Sequence, residues 1–261
     1  VLVEKCNQNN AIKVAAFAVE FATVCSPDVF RSFNAYVNAE KNELFTASEL
    51  LEGFSIQINT NESAESMSRS QEVHGVVLKN DSGWTLSFKD NILVLQCTDY
   101  IGWDESIGFV MSAWAFFISF LEKTAEPLKI KALGLEYLDE FYIKDINTNW
   151  VEALFNKDSK YLPGYIFSQS GLWHAHTGFY AGNILNRVRM DCIQNTEKKY
   201  LQVVAMQHRL NLPEESDLSL GGDGVLSSVR DVMDRMHSEN VELIRDILTL
   251  EVLKDINMEA K

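Results

Sequence analysis

Ser106-Ile-Gly-Phe-Val-Met-Ser-Ala-Trp-Ala-Phe-Phe-Ile-Ser-Phe-Leu121 runs for sixteen residues without a charge. A surface helix shows a single apolar stripe, so a helix apolar all the way round implies that protein surrounds it. The run falls short of the roughly 20 residues that cross a bilayer. Asp104 and Glu105 precede it and Lys123 follows it, which suits the positive and negative ends of a helix. Pro127 then blocks easy continuation. These features predict the core helix of a water-soluble protein, with no membrane as partner.

Upstream, Ile12–Phe21 alternates β-branched and aromatic residues and reads as a strand. Ser26-Pro27-Asp28 is a helix start, with Ser at the cap, Pro at the first position and an acid in the first turn. Phe30, Phe33 and Val37 then recur at helical spacing. Residues 53–60 alternate Phe54, Ile56 and Ile58, and the Ser-, Asn- and Glu-rich residues 61–70 predict an exposed loop. Strands at 73–79, 84–88 and Ile92–Cys97, joined by Asn80-Asp-Ser-Gly83 and Lys89-Asp-Asn91, make an antiparallel meander.

Downstream, a long strand at 129–143 precedes a short helix at 150–155. Three further strands follow at 172–180, Ile184–Gln194 and 200–212, and an amphipathic helix closes the chain at 225–248. The same order of elements is thus used twice: strand, helix, meander, helix. The expectation is an α+β fold, a single domain over 1–261 made of two similar halves (about 1–126 and 127–261). Its antiparallel sheet packs on long helices.

With 46% hydrophobic and 11% aromatic residues the chain can bury a large core. A net charge of −14 repels phosphate backbones, which disfavours nucleic acid as a partner. Cys6, Cys25, Cys97 and Cys192 lie far apart and form no C-x-x-C pair, so zinc-ligand spacing is absent and a reducing cytoplasm fits best. The first residues show no charged region leading into an apolar run, hence no secretory pattern.

Trp173-His174-Ala175-His176 is the sharpest local feature, because residues two apart on a strand share a face. Such imidazoles can begin a metal site or act as acid and base, with Asp191, Asp139, Glu136 or His208 as further candidates. Arg187 and Arg189 share a face in the same way and could grip a carboxylate or phosphate. Their plainer reading is a cross-strand ion pair. His174, His176, Arg187 and Arg189 are therefore the candidate ligand-binding residues. His208 and Arg209 point to opposite faces, so one alone can join them. Asp99-Tyr100-Ile-Gly-Trp103 either packs the start of the central helix or lines a pocket mouth. Gly221-Gly222-Asp223-Gly224 lacks the Lys-Ser/Thr of a phosphate loop and reads as a helix approach. No elbow serine motif, H-E-x-x-H, P-loop or kinase set occurs, so no cofactor and no catalytic residue is assigned.

Three stretches carry a resemblance: Thr98-Asp-Tyr-Ile-Gly-Trp-Asp104, Ala132-Leu-Gly-Leu-Glu-Tyr-Leu-Asp-Glu-Phe-Tyr142, and the helix from Met233-Asp-Arg-Met-His-Ser238 to Asp246-Ile-Leu-Thr249. Asn10-Ala-Ile12 adds to them. In this order they resemble a sporadically distributed bacterial family of uncharacterised proteins of similar length, known by a serial-numbered profile. That family shows Arg-Leu-Gly-Leu-Arg-Tyr-Ile-Asn where this chain has Ala132, Glu136 and Asp139, so any anion-handling role of those arginines does not carry over. The resemblance brings no catalytic residues. It implies a mobile-element or phage-defence setting.

The function expected from the sequence is a non-enzymatic cytoplasmic module that binds a protein partner or a small ligand. The alternative is a metal-assisted hydrolase or nuclease centred on His174 and His176. An exposed sheet edge offers a route to a homodimer.

Overall fold

A computed structural model describes the chain except residues 1, 41–42, 62–63, 125–127, 170, 198, 215, 217, 221–223 and 259–261, with backbone alone over 54–61, 64–71, 124 and 219–220. Its frame is one antiparallel sheet. The strands are β1 (Val3–Lys5), β2 (Ile12–Phe21), β3 (Ala47–Asn61), β4 (Ala64–Lys79), β5 (Trp84–Lys89), β6 (Ile92–Cys97), β7 (Leu128–Ile143), β8 (Trp173–Ala181), β9 (Ile184–Gln194), β10 (Tyr200–Asn211) and β11 (Ser219–Leu220). The path across the sheet is β3-β4-β5-β6-β2-β7-β10-β9-β8, and the short β1 and β11 also pair with β7. Both long opening strands, β2 and β7, therefore lie at the centre, with a meander running outward from each.

The helices are α1 (Pro27–Ala39), α2 (Trp103–Thr124), α3 (Trp150–Leu154), α4 (Val225–Ile247) and α5 (Leu250–Asp255). The inward positions of the strands alternate with half-buried ones, as the two-residue period requires. Ala15, Phe17, Val19 and Phe21 on β2 and Leu133, Leu135, Tyr137 and Phe141 on β7 are all buried. They face α2 and α4, whereas Ala16, Ala18, Gly134 and Glu136 face outward, on a side that none of the described helices covers. One face of the sheet is thus roofed and the other is open.

The central run of sequence lies within α2, and its core side is aromatic. Phe117 sits 5.0 Å from the rings of Phe33 and Phe88 and 5.9–6.2 Å from Phe120 and Phe21. Each such pair contributes about 0.5–1.5 kcal/mol beyond its buried area. The expectation that protein would surround this helix on all sides is corrected. Gly108, Ser112 and Ser119 form an exposed seam. Small residues expose little apolar area, and both serine hydroxyls donate within the helix, to Gly108 and Ala115 carbonyls at 3.1 Å. A seam can therefore face outward without charge. By length and composition alone the helix could cross a membrane. Its fully buried Trp114 and Phe117 instead make it the central helix of this core.

The expected loop over 61–70 is a second correction. β4 begins at Ala64 and pairs with β3 down to Thr60↔Glu65 and Asn61↔Ala64. Beyond Gly75, β4 has β3 as its one partner, since β5 pairs only with Gly75–Lys79. A two-stranded ribbon outside the main sheet needs no apolar face, so its polar composition imitated a loop. The expected boundary near residue 126, Pro127 and Gly221–Gly222–Asp223 lie outside the described residues.

Candidate functional site: a roofed chamber and an open-face ladder

The open face carries the four residues singled out from sequence. The β8–β9 register sets His174 opposite Asp191, His176 opposite Arg189 and Gly178 opposite Arg187. The two imidazoles lie 5.8 Å apart. His176 Nε2 and Arg189 Nε both approach the Asp191 carboxylate, at 3.3 and 3.0 Å. His174, His176 and Arg189 thus form a solvent-facing ladder around one acid, in which half-exposed pairs contribute roughly 0–1 kcal/mol each.

Arg187 stands apart from that ladder. It lines a groove of about 360 Å³ over the centre of the open face, floored by Ala16, Ala18 and Gly134 and flanked by Glu136, Gln207 and Arg209. Arg209 is ion-paired with Glu20, which also holds Lys131. Of the further candidate ligands, Asp191 joins the histidines, whereas Asp139 and His208 lie on the roofed side. Among the described residues, no group of three or more His, Cys, Asp or Glu side chains is arranged to hold a metal ion.

The roofed side holds a different constellation. β7 presents Leu133, Leu135, Tyr137, Asp139 and Phe141 inward, so a carboxylate occupies one step of an apolar row. Asp139 is 4% exposed. Beside it β2 changes register between Ile12, opposite Asp139, and Val14, opposite Leu138. Such a bulge re-aims side chains and opens the pairing locally. Here it borders a chamber of about 400 Å³. Tyr100 and Trp103 at the start of α2, Tyr137 and Asp139 on β7, and His237 and Asn240 on α4 line it.

The walls are tied together tightly. His237 stacks flat on Trp103, with centroids 4.1 Å apart and 2° between planes. Trp103 donates its indole N–H to Asp234 at 2.8 Å. The Tyr137 hydroxyl meets His237 Nδ1 at 3.0 Å, and the Tyr100 ring stands edge-on to Tyr137 at 5.8 Å. Below, buried His208 meets Asn186 Oδ1 at 2.5 Å and Asn240 Oδ1 at 3.0 Å, while Asn186 donates to Glu239 at 2.9 Å. Among the described residues no donor reaches the Asp139 carboxylate.

Burial sets the ionisation here. It pushes the Asp139 carboxyl up from 3.8 to about 7 and the Tyr100 phenol up to about 12. It pulls His237 down from 6.5 to about 4, so that imidazole is neutral at physiological pH. Burial disfavours the thiolate form of all four cysteines. Burial raises the Cys25 and Cys192 thiols to about 11 and lifts Cys6 and Cys97 above their ordinary value as well.

Sequence reasoning named Asp139 only as a metal-ligand candidate and passed over His237 and Asn240. The signal for Asp139 was present as a lone acid at an inward step of an alternating strand. Tyr100 and Trp103 do both things expected of them: they pack the start of α2 onto the sheet, Trp103 stacking on Phe17 at 6.0 Å, and they line the mouth of this chamber. Four segments quoted above for their resemblance meet at this chamber, supplying Asn10 to Ile12, Tyr100 to Trp103, Tyr137 with Asp139, and His237 with Ile244.

The fold defines a mixed α+β protein built on an antiparallel sheet. No protein-family model and no curated protein matches the chain. Among solved structures, the RNA triphosphatase Pct1 of S. pombe in complex with the Spt5 CTD aligns over 95% of this chain and 84% of that one. The identity is 6% and the TM-score 0.12, a likeness that carries no argument about fold or function.

Proposed function

We propose that this chain is a non-enzymatic binding module of a reducing, cytoplasmic compartment that takes a small ligand into the chamber beside Asp139. One observation carries the reading: a carboxylate 4% exposed, bordering a chamber of about 400 Å³, with no hydrogen-bond donor among the described residues. A buried carboxyl group without a donor calls for an explanation, and a ligand that supplies the donor is the one this chamber offers. The volume lies within the range of small-molecule sites, about 300–1,000 Å³. The mirrored strand order about β2 and β7 supports a second part of the reading, an origin from two similar strand–helix–meander–helix halves.

The test is a fragment screen by NMR on the full chain, following the Trp103 indole and His237 ring signals. Fragments that shift both, and lose binding in Val241→Trp, whose indole fills the chamber from α4, are the expected result. Fragment binding unaffected by Val241→Trp, or no fragment reaching Trp103, overturns the reading.

A further inference from the structure

The chamber also specifies the kind of molecule it accepts. Several polar groups on its rim are already engaged. Asn10 donates its amide to the Tyr100 carbonyl at 3.0 Å, and Asn257 donates to Asn9 at 3.1 Å. Arg245 is the one basic side chain of the lining, and its Nε donates to the Met258 carbonyl at 3.3 Å. His237 is held between Trp103 and Tyr137. Among the described residues no hydrogen bond reaches the Asp139 carboxylate, which leaves its oxygens open to a donor brought by a ligand.

Resting on the chamber reading above, we propose that the site binds a small organic cation, an amine, amidine or guanidine carried on a flat apolar body. Its N–H groups meet the Asp139 carboxylate as charge-assisted hydrogen bonds, the strong class of such contacts. The aromatic lining of Tyr100, Trp103 and Tyr137 favours a cation over an anion, through the negative faces of the rings. The chain's net charge of −14 draws cations toward it and repels anions. A neutral amide of the same shape satisfies the hydrogen bonds but brings no charge, and so separates the two possibilities experimentally.

Titration calorimetry of the full chain with benzamidinium, benzamide and benzoate, three flat probes of one shape and different charge, tests this. Benzamidinium binding to the wild type, at least about tenfold weaker to Asp139→Asn, with benzamide and benzoate weak or silent, is the expected result. Benzamide binding as tightly as benzamidinium overturns the cation assignment and leaves the chamber reading standing, provided Val241→Trp abolishes it. Benzamidinium binding equally to wild type and Asp139→Asn overturns the assignment outright. So does silence from all three probes at millimolar concentration, while the chamber reading is then decided by the fragment screen alone.

Discussion

On the open face of the sheet, Asp191 shares its charge between His176 and Arg189 at 3.3 and 3.0 Å. On the roofed face, Asp139 has neither cation nor donor among the described residues. Both acids sit on neighbouring regions of one sheet, yet the energetics are opposite. Water screens and solvates the first group, so its partners matter little to stability. The second is largely withdrawn from water and has no partner among the described residues, so changes to it are felt. Residue identity is therefore a poor guide to a site here. The side of the sheet decides.

Four substitutions sharpen or break that contrast, the largest first. Removing the Asp139 charge acts through pH. Its folded-state value of about 7 exceeds the unfolded 3.8, so the folded chain holds the extra proton between those values and stability falls as pH rises across them. His237, lowered to about 4, works in the other direction: the unfolded chain binds the extra proton, so stability rises between about pH 4 and 6.5. The two nearly cancel in the wild type. Asp139→Asn removes one of them, and its stability relative to wild type grows by about 4 kcal/mol between pH 4 and pH 8, read from urea unfolding. A pH-independent difference refutes the buried-acid account.

His208→Ala comes next. It strands the Asn186 and Asn240 amides and leaves a void, for a loss of about 2–4 kcal/mol in the same assay. Tyr137→Phe removes one hydroxyl from His237 and costs about 1 kcal/mol, with the imidazole titration moving in NMR as its partner disappears. Asp191→Asn on the open face costs less than about 1 kcal/mol, and that small loss shrinks further in high salt. A loss above 2 kcal/mol there means that the ladder is not the solvated feature its exposure indicates.

Most of the framework was legible before any coordinates. The loosely alternating run Ile12–Phe21 and the turn-bounded runs Ile92–Cys97 and Ile184–Gln194 coincide with β2, β6 and β9, and the apolar run located α2, because period and length are local properties of the chain. The failures share a cause. β1, β11 and α5 are short and take their stability from neighbours far along the chain, for example Val3 beside Ile143. The β3–β4 ribbon hid behind polar residues because its pairing, down to Asn61↔Ala64, extends past the reach of β5. On the site, the two-residue period paired His174 with His176 and Arg187 with Arg189, but it could not say that Arg189 would stand beside the histidines while Arg187 stood apart. It could not bring Asn10, Tyr100, Asp139 and His237 together, since only the strand order and the helix roof create that meeting.

The central pairing of β2 with β7 also dictates when this molecule can assemble. Until Leu128–Ile143 has left the ribosome, one edge of β2 faces solvent along Ile12–Phe21. A nascent chain shorter than this exposes a naked β edge in the middle of what becomes the core, a known template for aggregation. Closure must wait for contacts between residues more than a hundred positions apart, such as Phe17 with Leu135, and long loops of this kind slow folding. The chain's most vulnerable stage is thus written into its topology, between the emergence of β2 and that of β7.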